Sequence, residues 1–297
     1  MNAATSTLST STGASAAAIQ HHYDVGNDFY QLWLDPTMVY SCALWEENEP
    51  SSNLEKAQIR KIDYHIEQAR AQGKKRVLDI GCGWGGILKR LVNEHGVDQA
   101  IGLTLSEAQA DWVRSLNHPQ IEVHLEGWQN YEPTVPFDAI TSVGAFEHFV
   151  KPELSSAEKI EVYRSFFQRC HGWLNPGGSM SLQTIAYGKR KPEEVQKLPG
   201  AKFANEEIFP ESDSPRLAEI AEAAEGIFEI VTVRNDRLDY VKTLEVWLKN
   251  LRARRAEVVQ AAGEAVFRRY ERYLYLALLG FLTGDLLLLR LTLRRIG

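Results

Sequence analysis

The segment Arg76-Val-Leu-Asp-Ile80, followed by Gly81-Cys-Gly-Trp-Gly-Gly86, constrains the fold more than any other part of the chain. A short β-branched and apolar run leads into glycines, and a helical pattern follows at 87–94. Such a junction needs glycine, because the backbone must turn with positive φ or let a ligand lie against it. The helix that follows presents unpaired N–H groups and positive potential to the same point. Around this junction the two kinds of pattern alternate. Residues 54–72 place Ile59, Ile62 and Ile66 at helical spacing before Gly73. Strands are expected at 99–105, 121–125, 137–143 and 179–186. Helices are expected from Ser106 to about 117 and over 156–173. Strands alternating with helices imply parallel βαβ units, hence an α/β sheet covered on both faces.

Beyond 186 the rhythm loosens. Residues 187–213 carry Gly, Pro and charges, and read as an excursion over the active face. A helix at 215–225 leads to a strand at 228–233, and long helices follow near 243–262 and 264–282. The end, 286–296, alternates Leu289, Leu291 and Leu293 against Arg290, Thr292 and Arg294, as a strand with one apolar and one polar face does. Tyr273 to Leu289 is apolar, but Thr283, Gly284 and Asp285 interrupt it. It falls short of the ~20 apolar residues of a membrane span, so a buried helix and a strand are expected there.

Residues 1–18 have neither the basic start nor the apolar core of a secretion signal, and read as a disordered tail. Residues 19–297 then form a single domain. Its parts are an N-terminal helical cover (19–72), a core (73–186), a covering insertion with helices (187–265), and a C-terminal helix and strand (266–297).

Charge and cysteines narrow the setting. Acids number 39 and bases 33, a net charge of −6, so no nucleic-acid partner is expected. Three cysteines without a CxxC pair support neither a metal site nor a disulfide framework, and a reduced, cytoplasmic protein is expected. Residues 242–297 hold 11 bases and 5 acids. Such a run is ordinarily a solvated helix face. It also suits peripheral contact with an anionic membrane, at its inner face, or with an acyl carrier protein.

A GxGxG loop serves NAD, FAD and S-adenosylmethionine (AdoMet) alike. Two details discriminate. Asp79 stands before the first glycine, where it could accept a bond from an amine or a loop N–H. The next strand ends in Leu103-Thr-Leu-Ser-Glu-Ala-Gln109, without the acid that an NAD ribose prefers. Four blocks then stand in order: His22-Tyr-Asp-Val-Gly-Asn-Asp-Phe-Tyr30; Tyr40-Ser-Cys-Ala43; Leu78-Asp-Ile-Gly-Cys-Gly-Trp-Gly85 with Leu103-Thr-Leu-Ser106 and Gln109; and Val143-Gly-Ala-Phe-Glu-His-Phe149. Gly127-Trp128, Glu207-Ile-Phe-Pro210 and Tyr240-Val-Lys-Thr-Leu-Glu-Val-Trp247 add weaker echoes. Over residues 20–295 the chain resembles the cyclopropane-fatty-acid and mycolic-acid cyclopropane synthases, a family of AdoMet-dependent methyltransferases.

The resemblance implies a class I methyltransferase fold, a Rossmann-like, mostly parallel sheet of seven strands with an added helical cover. It also implies a reaction. An AdoMet methyl is added to an alkene carbon of an unsaturated acyl or lipid-like chain, a carbocation forms, and bound bicarbonate takes a proton as the cyclopropane closes. An alkene is not activated by deprotonation, so catalysis must rest on positioning and on stabilising cationic charge. Aromatic faces do this without reacting, and Tyr23, Tyr40, Trp84, Trp128 and Phe146 are the candidates. By resemblance, AdoMet contacts fall on Tyr23, Tyr40, Ser41, Asp79, Gly81, Gly83, Trp84, Thr104, Leu105, Gln109, Trp128 and Gln129. The bicarbonate site falls on Cys42, Glu147, Gln183, Ile185 and Tyr240. Cys42 and Ile185 would offer backbone N–H groups and Tyr240 a hydroxyl, while Glu147 would accept the bicarbonate proton.

Two departures stand out. The family's His-Thr-Ile reads Gln183-Thr184-Ile185 here, and glutamine offers one neutral amide bond where histidine could become cationic. Weaker bicarbonate binding is the expectation. The family's late Cys-Glu pair is replaced by Leu276-Ala-Leu-Leu-Gly280, which suits an apolar channel or a packed core equally. Gln183 keeps a second product class open, a methyl branch or methylidene on a lipid, prenyl or polyketide chain. A third reading is a binding module on an inactive methyltransferase fold.

Overall fold

The computed structural model describes residues 13–23 and 25–297. The N-terminal cover holds α1 (Ala16–Tyr23), α2 (Asn27–Gln31) and α3 (Leu54–Gln68). The alternating core follows as β1 (Arg76–Ile80), α4 (Gly86–Glu94), β2 (Gln99–Thr104), α5 (Glu107–Ser115), β3 (Ile121–Leu125), β4 (Phe137–Val143), α6 (Ser156–Trp173) and β5 (Leu174–Tyr187). The rest comprises α7 (Pro192–Val195), α8 (Pro199–Glu207), α9 (Leu217–Ala224), β6 (Phe228–Asn235), α10 (Arg237–Ala253), α11 (Arg255–Ala262), α12 (Glu264–Thr283) and β7 (Leu286–Arg295).

The strands form one sheet in the order β3-β2-β1-β4-β5-β7-β6. The pairs among β1 to β5 are parallel, and β7 runs antiparallel to β5 and β6. Side chains alternate between the faces of a strand. Leu78, Ile80, Ile101, Leu103 and Ile140 therefore join one apolar cluster, packed on α6 residues such as Phe166 and Phe167. Val77, Ala100 and Ala139 join another, packed on Ile62 and Ile66 of α3 and Leu88 and Leu91 of α4. Chain order reverses between β1 and β4, which opens a crevice beyond their C-terminal ends. The loop Gly81–Gly85 lies there.

Local chemistry sets the element ends. Ser106 caps α5 by accepting the N–H of Gln109 at 3.3 Å. Ser155 and Glu158 form a reciprocal capping box at the start of α6. A third cluster, rich in aromatics from α2, α10 and α12, holds the helical cover together. Trp33 packs edge-on to Trp247 at 5.7 Å between ring centroids, and the Tyr30 and Tyr270 hydroxyls lie 2.8 Å apart.

Four expectations need correction. The tail drawn to residue 18 does not hold for its described part. Ala14 N–H donates to His148 O at 2.8 Å, Ser15 N–H donates to the Glu211 carboxylate at 2.8 Å, and α1 begins at Ala16. Residues 1–12 lie outside the described residues. The helix drawn at 243–262 starts six residues earlier, at Arg237, and divides at Arg254. The polar face drawn for β7 is wrong at Arg290, which is 0% exposed. The cover packs on that side of the sheet, so the arginine meets buried acceptors instead of water. Phe146, proposed as a cation-stabilising face, is instead a core ring stacked on Tyr163 at 4.3 Å and packed against Phe149, Phe166 and Phe167. Phe146→Ala should therefore lower the unfolding free energy by ~3–5 kcal/mol, the usual cost of truncating a core phenylalanine, read by urea denaturation.

Five of the eleven bases of the C-terminal region meet acids on the surface. Arg252 pairs with Glu271, Arg254 with Glu257, Arg255 and Arg268 with Glu264, and Arg294 with Glu229. No helix among the described residues is long and apolar enough to cross a membrane.

Candidate active site

The first cavity, about 140 Å³, opens beyond the C-terminal ends of β1, β2 and β4. The glycine loop forms its floor. Gly81 has φ +80°, and a Cβ there would come within 2.5 Å of the Ala145 Cβ. Gly83 has φ +54°, and a Cβ added there would meet nothing within 4 Å. Asp79, only 1% exposed, accepts from Thr141 Oγ1 at 2.8 Å, and burial pushes its carboxyl up to about 7. Thr104 Oγ1 donates to Gln109 Oε1 at 2.8 Å and accepts from Ser106 N–H at 3.1 Å, which fixes the turn after β2.

Tyr40, Ser41, Asp79, Gly81, Gly83, Trp84, Thr104, Leu105, Gln109, Trp128 and Gln129 all line this one cavity. Ala14, from the stretch read as tail, and Ile19, the first residue of the domain, line it as well. The side chain of Tyr23 lies outside the described residues. Helix α3 holds the rim from below. Gln58 Nε2 donates to Ser41 O at 2.9 Å, and the Lys61 ammonium donates to Ser41 Oγ at 2.7 Å. Burial brings Lys61 down to about 7.

The second cavity is larger, about 380 Å³, and adjoins the first, since Tyr40, Ser41, Gly144 and His148 line both. Its wall is mainly apolar, with Val195, Leu198 and Ala201 from the excursion and Leu276, Ala277 and Leu279 from α12. Glu147, Gln183, Ile185 and Tyr240 also line it. The Glu147 carboxyl is buried, and its Oε1 accepts the Ile185 N–H at 2.5 Å. Its Oε2 has no hydrogen-bond partner among the described residues. Burial raises this carboxyl to about 7.

One sequence-based assignment shifts, that of Ile185, and the Cys42 side chain stays outside the cavity. The Ile185 N–H is engaged by Glu147 and is not an open donor. Cys42 is fully buried, outside the cavity lining, with its thiol donating to Ala43 O at 3.1 Å. Burial pushes that thiol up to about 12, so it stays protonated.

Behind Gln183 lies a polar cluster that the sequence did not announce. Gln183 Oε1 accepts from Arg290 Nε at 2.9 Å and lies 3.2 Å from His65 Nε2. Arg290 pairs with Asp236 and also donates to Ala43 O at 3.0 Å and Cys42 O at 3.2 Å. One signal was present in the sequence. Gln58, Lys61 and His65 fall on the same face of α3 as Ile62 and Ile66, and all five are buried. Polar residues inside an apolar stripe mark a helix packed on a polar site. His148 was legible too, inside the Val143–Phe149 block, and its Nδ1 lies 2.7 Å from Ser212 Oγ.

Two adjoining cavities, one at a glycine loop and one apolar, suit a small polar cofactor presented to a greasy chain. The family model for mycolic acid cyclopropane synthetase matches residues 10–291. The chain belongs to this family. Cyclopropane mycolic acid synthase 1 of Mycobacterium tuberculosis (strain ATCC 25177 / H37Ra) is 36% identical over 271 residues, 87% of this chain and 90% of that protein. Mycolic acid cyclopropane synthase CmaA1, solved in complex with SAH and CTAB, superposes with a TM-score of 0.84 at 34% identity, covering 95% of this chain and 99% of that one. The cyclopropane synthase MmaA2 from Mycobacterium tuberculosis superposes with a TM-score of 0.85 at 32% identity, covering 96% and 100%. The protein is an AdoMet-dependent methyltransferase of the cyclopropane synthase type, with the class I fold.

Proposed function

We propose that this methyltransferase adds a methylene across a C=C bond of an unsaturated acyl or lipid-like chain, giving a cyclopropane. The observation that carries the reading is the shared wall: Tyr40, Ser41, Gly144 and His148 separate a glycine-loop cavity from a larger apolar one. AdoMet bound over Gly81 and Gly83 would present its methyl across that wall to a chain lying along Leu198 and Leu276. The CmaA1 relative was solved in complex with both SAH and CTAB, which supports this reading.

The chemistry sets the remaining demands. The alkene π pair attacks the sulfonium methyl, the C–S bond breaks, and positive charge develops on the neighbouring carbon. Tyr40 lines both cavities and can stabilise that charge through its ring face. Ring closure then requires loss of a proton from the new methyl. The residues on hand fit a small oxyanion base, because an unpartnered buried Glu147 Oε2, the Gln183 amide and Tyr240 line one cavity. Bicarbonate bound there would supply the base without placing a nucleophilic side chain beside a cation. Glu147 would hold a proton at Oε2, Tyr240 would donate, and the buried Cys42 would act through its backbone alone.

The engaged Ile185 N–H and the neutral Gln183 favour a second product class, a methyl branch or methylidene. One assay separates the two. Purified protein, AdoMet and dioleoyl phosphatidylglycerol vesicles should give a product with strongly shielded cyclopropane protons in the NMR spectrum. Its formation should slow when bicarbonate is stripped. A vinylic or branched-methyl spectrum instead would replace the ring with the second class.

A further inference from the structure

Gln183 lines the second cavity with its amide gripped from behind by two buried nitrogen groups. Arg290 is 0% exposed, and a guanidinium carries only donors. The Gln183 atom that Arg290 Nε meets at 2.9 Å must therefore be the carbonyl oxygen. The same oxygen lies 3.2 Å from His65 Nε2, so that nitrogen carries the hydrogen. His65 Nδ1 is then the acceptor, and it lies 2.7 Å from Ser181 Oγ, which can donate. Burial holds the His65 ring neutral, in keeping with this tautomer.

We infer that His65 and Arg290 are positioning residues that lock Gln183 with its amide NH₂ toward the cavity and polarise it as an anion donor. With the carbonyl end fixed by two donors, the NH₂ is the end left to face the cavity that Gln183 lines. Each bond received by the carbonyl draws electron density from the nitrogen and strengthens its N–H as a donor. The cationic charge that a histidine could carry at 183 is supplied one step back by Arg290. It is only partly offset, because Asp236 is shared with Arg234. The same guanidinium grips the carbonyls of Cys42 and Ala43, which ties the Tyr40–Ala43 rim to the network.

This inference rests on the bicarbonate reading, and the test separates the two. Binding of ¹³C-labelled bicarbonate to the full chain, saturated with S-adenosylhomocysteine, is measured by NMR line broadening. The wild-type chain should bind. His65→Leu should weaken bicarbonate by roughly three- to tenfold, the net worth of about one hydrogen bond. In a Gln183→Met background, the same His65→Leu change should have no further effect, because the relay through the amide is already cut. His65→Gln, which can donate to Gln183 and accept from Ser181, should restore wild-type affinity and serves if His65→Leu fails to fold. Unchanged S-adenosylhomocysteine affinity identifies a folded variant. Equal weakening by His65→Leu in both backgrounds would assign His65 a merely structural role and overturn the inference, as would no weakening in either. A wild-type chain that binds no bicarbonate would remove the anion reading itself, and this inference with it.

Discussion

Replacing Glu147 with glutamine should lower turnover by about 10²–10⁴-fold, the range for removal of a group that manages a proton in the transition state, while AdoMet affinity stays unchanged. Glutamine preserves the volume and can still accept the Ile185 N–H that Glu147 Oε1 accepts at 2.5 Å, so the fold should survive. What disappears is the proton carrier we propose at Oε2, which has no hydrogen-bond partner among the described residues. Glu147 lines the second cavity but not the first, which is why cofactor binding should be spared. The variant also tests the cost of the site. Burial raises the Glu147 carboxyl from 4.5 to about 7 in the folded chain. Between those values the folded state holds a proton that the unfolded state has released, so stability falls as pH rises through the window. Glu147→Gln should therefore unfold at higher denaturant than wild type at pH 8, and the advantage should vanish at pH 4. A fully active variant would show that the proton leaves by another route.

The same carboxylate shows why parts of the site were legible in the sequence and parts were not. Glu147 sits in a block of neighbours, Val143 to Phe149, and the glycine loop is contiguous from Gly81 to Gly86. Signals of this kind are local: a period, a run of glycines, a cap such as Ser106. They placed the five core strands, the helices between them and eleven of the twelve residues expected at the cofactor, which converge on the first cavity. Arg290 is the opposite case. Its strand alternates cleanly, and alternation alone assigns it to water. Its partners Gln183 and Asp236 lie 107 and 54 residues away, and only the antiparallel pairing of β7 between β5 and β6 brings them together. His65 was hidden for a related reason, since a helical period locates a buried stripe without saying what it packs against. Cys42 was carried to the site by its motif, yet its side chain points into packing and its thiol stays protonated. Tyr40 and Ser41, its neighbours in the same motif, do reach both cavities.

Gly83→Val should abolish measurable AdoMet binding by calorimetry. The residue holds φ +54°, in the left-handed region, where a β-branched side chain is a genuine outlier. Strain of this kind lowers stability whether or not a ligand is present. The second effect is specific to binding. An ideal Cβ at Gly83 meets no protein atom within 4 Å, and the residue lines the first cavity, so a valine side chain would extend into the space we propose for the cofactor. Thermal unfolding separates the two. Without ligand, the variant should melt below wild type by the cost of the strained backbone. A ligand that binds only the folded state stabilises it by RT ln(1 + [L]/Kd), about 2.7 kcal/mol at a hundredfold excess over Kd. Wild type should show that upward shift with AdoMet, and the valine variant should show none. Gly83→Asn sharpens the comparison, because asparagine tolerates the left-handed conformation. It should recover most of the ligand-free stability and still lose affinity, since its side chain enters the same space. A valine variant that keeps the full AdoMet-induced shift would move the cofactor away from this loop.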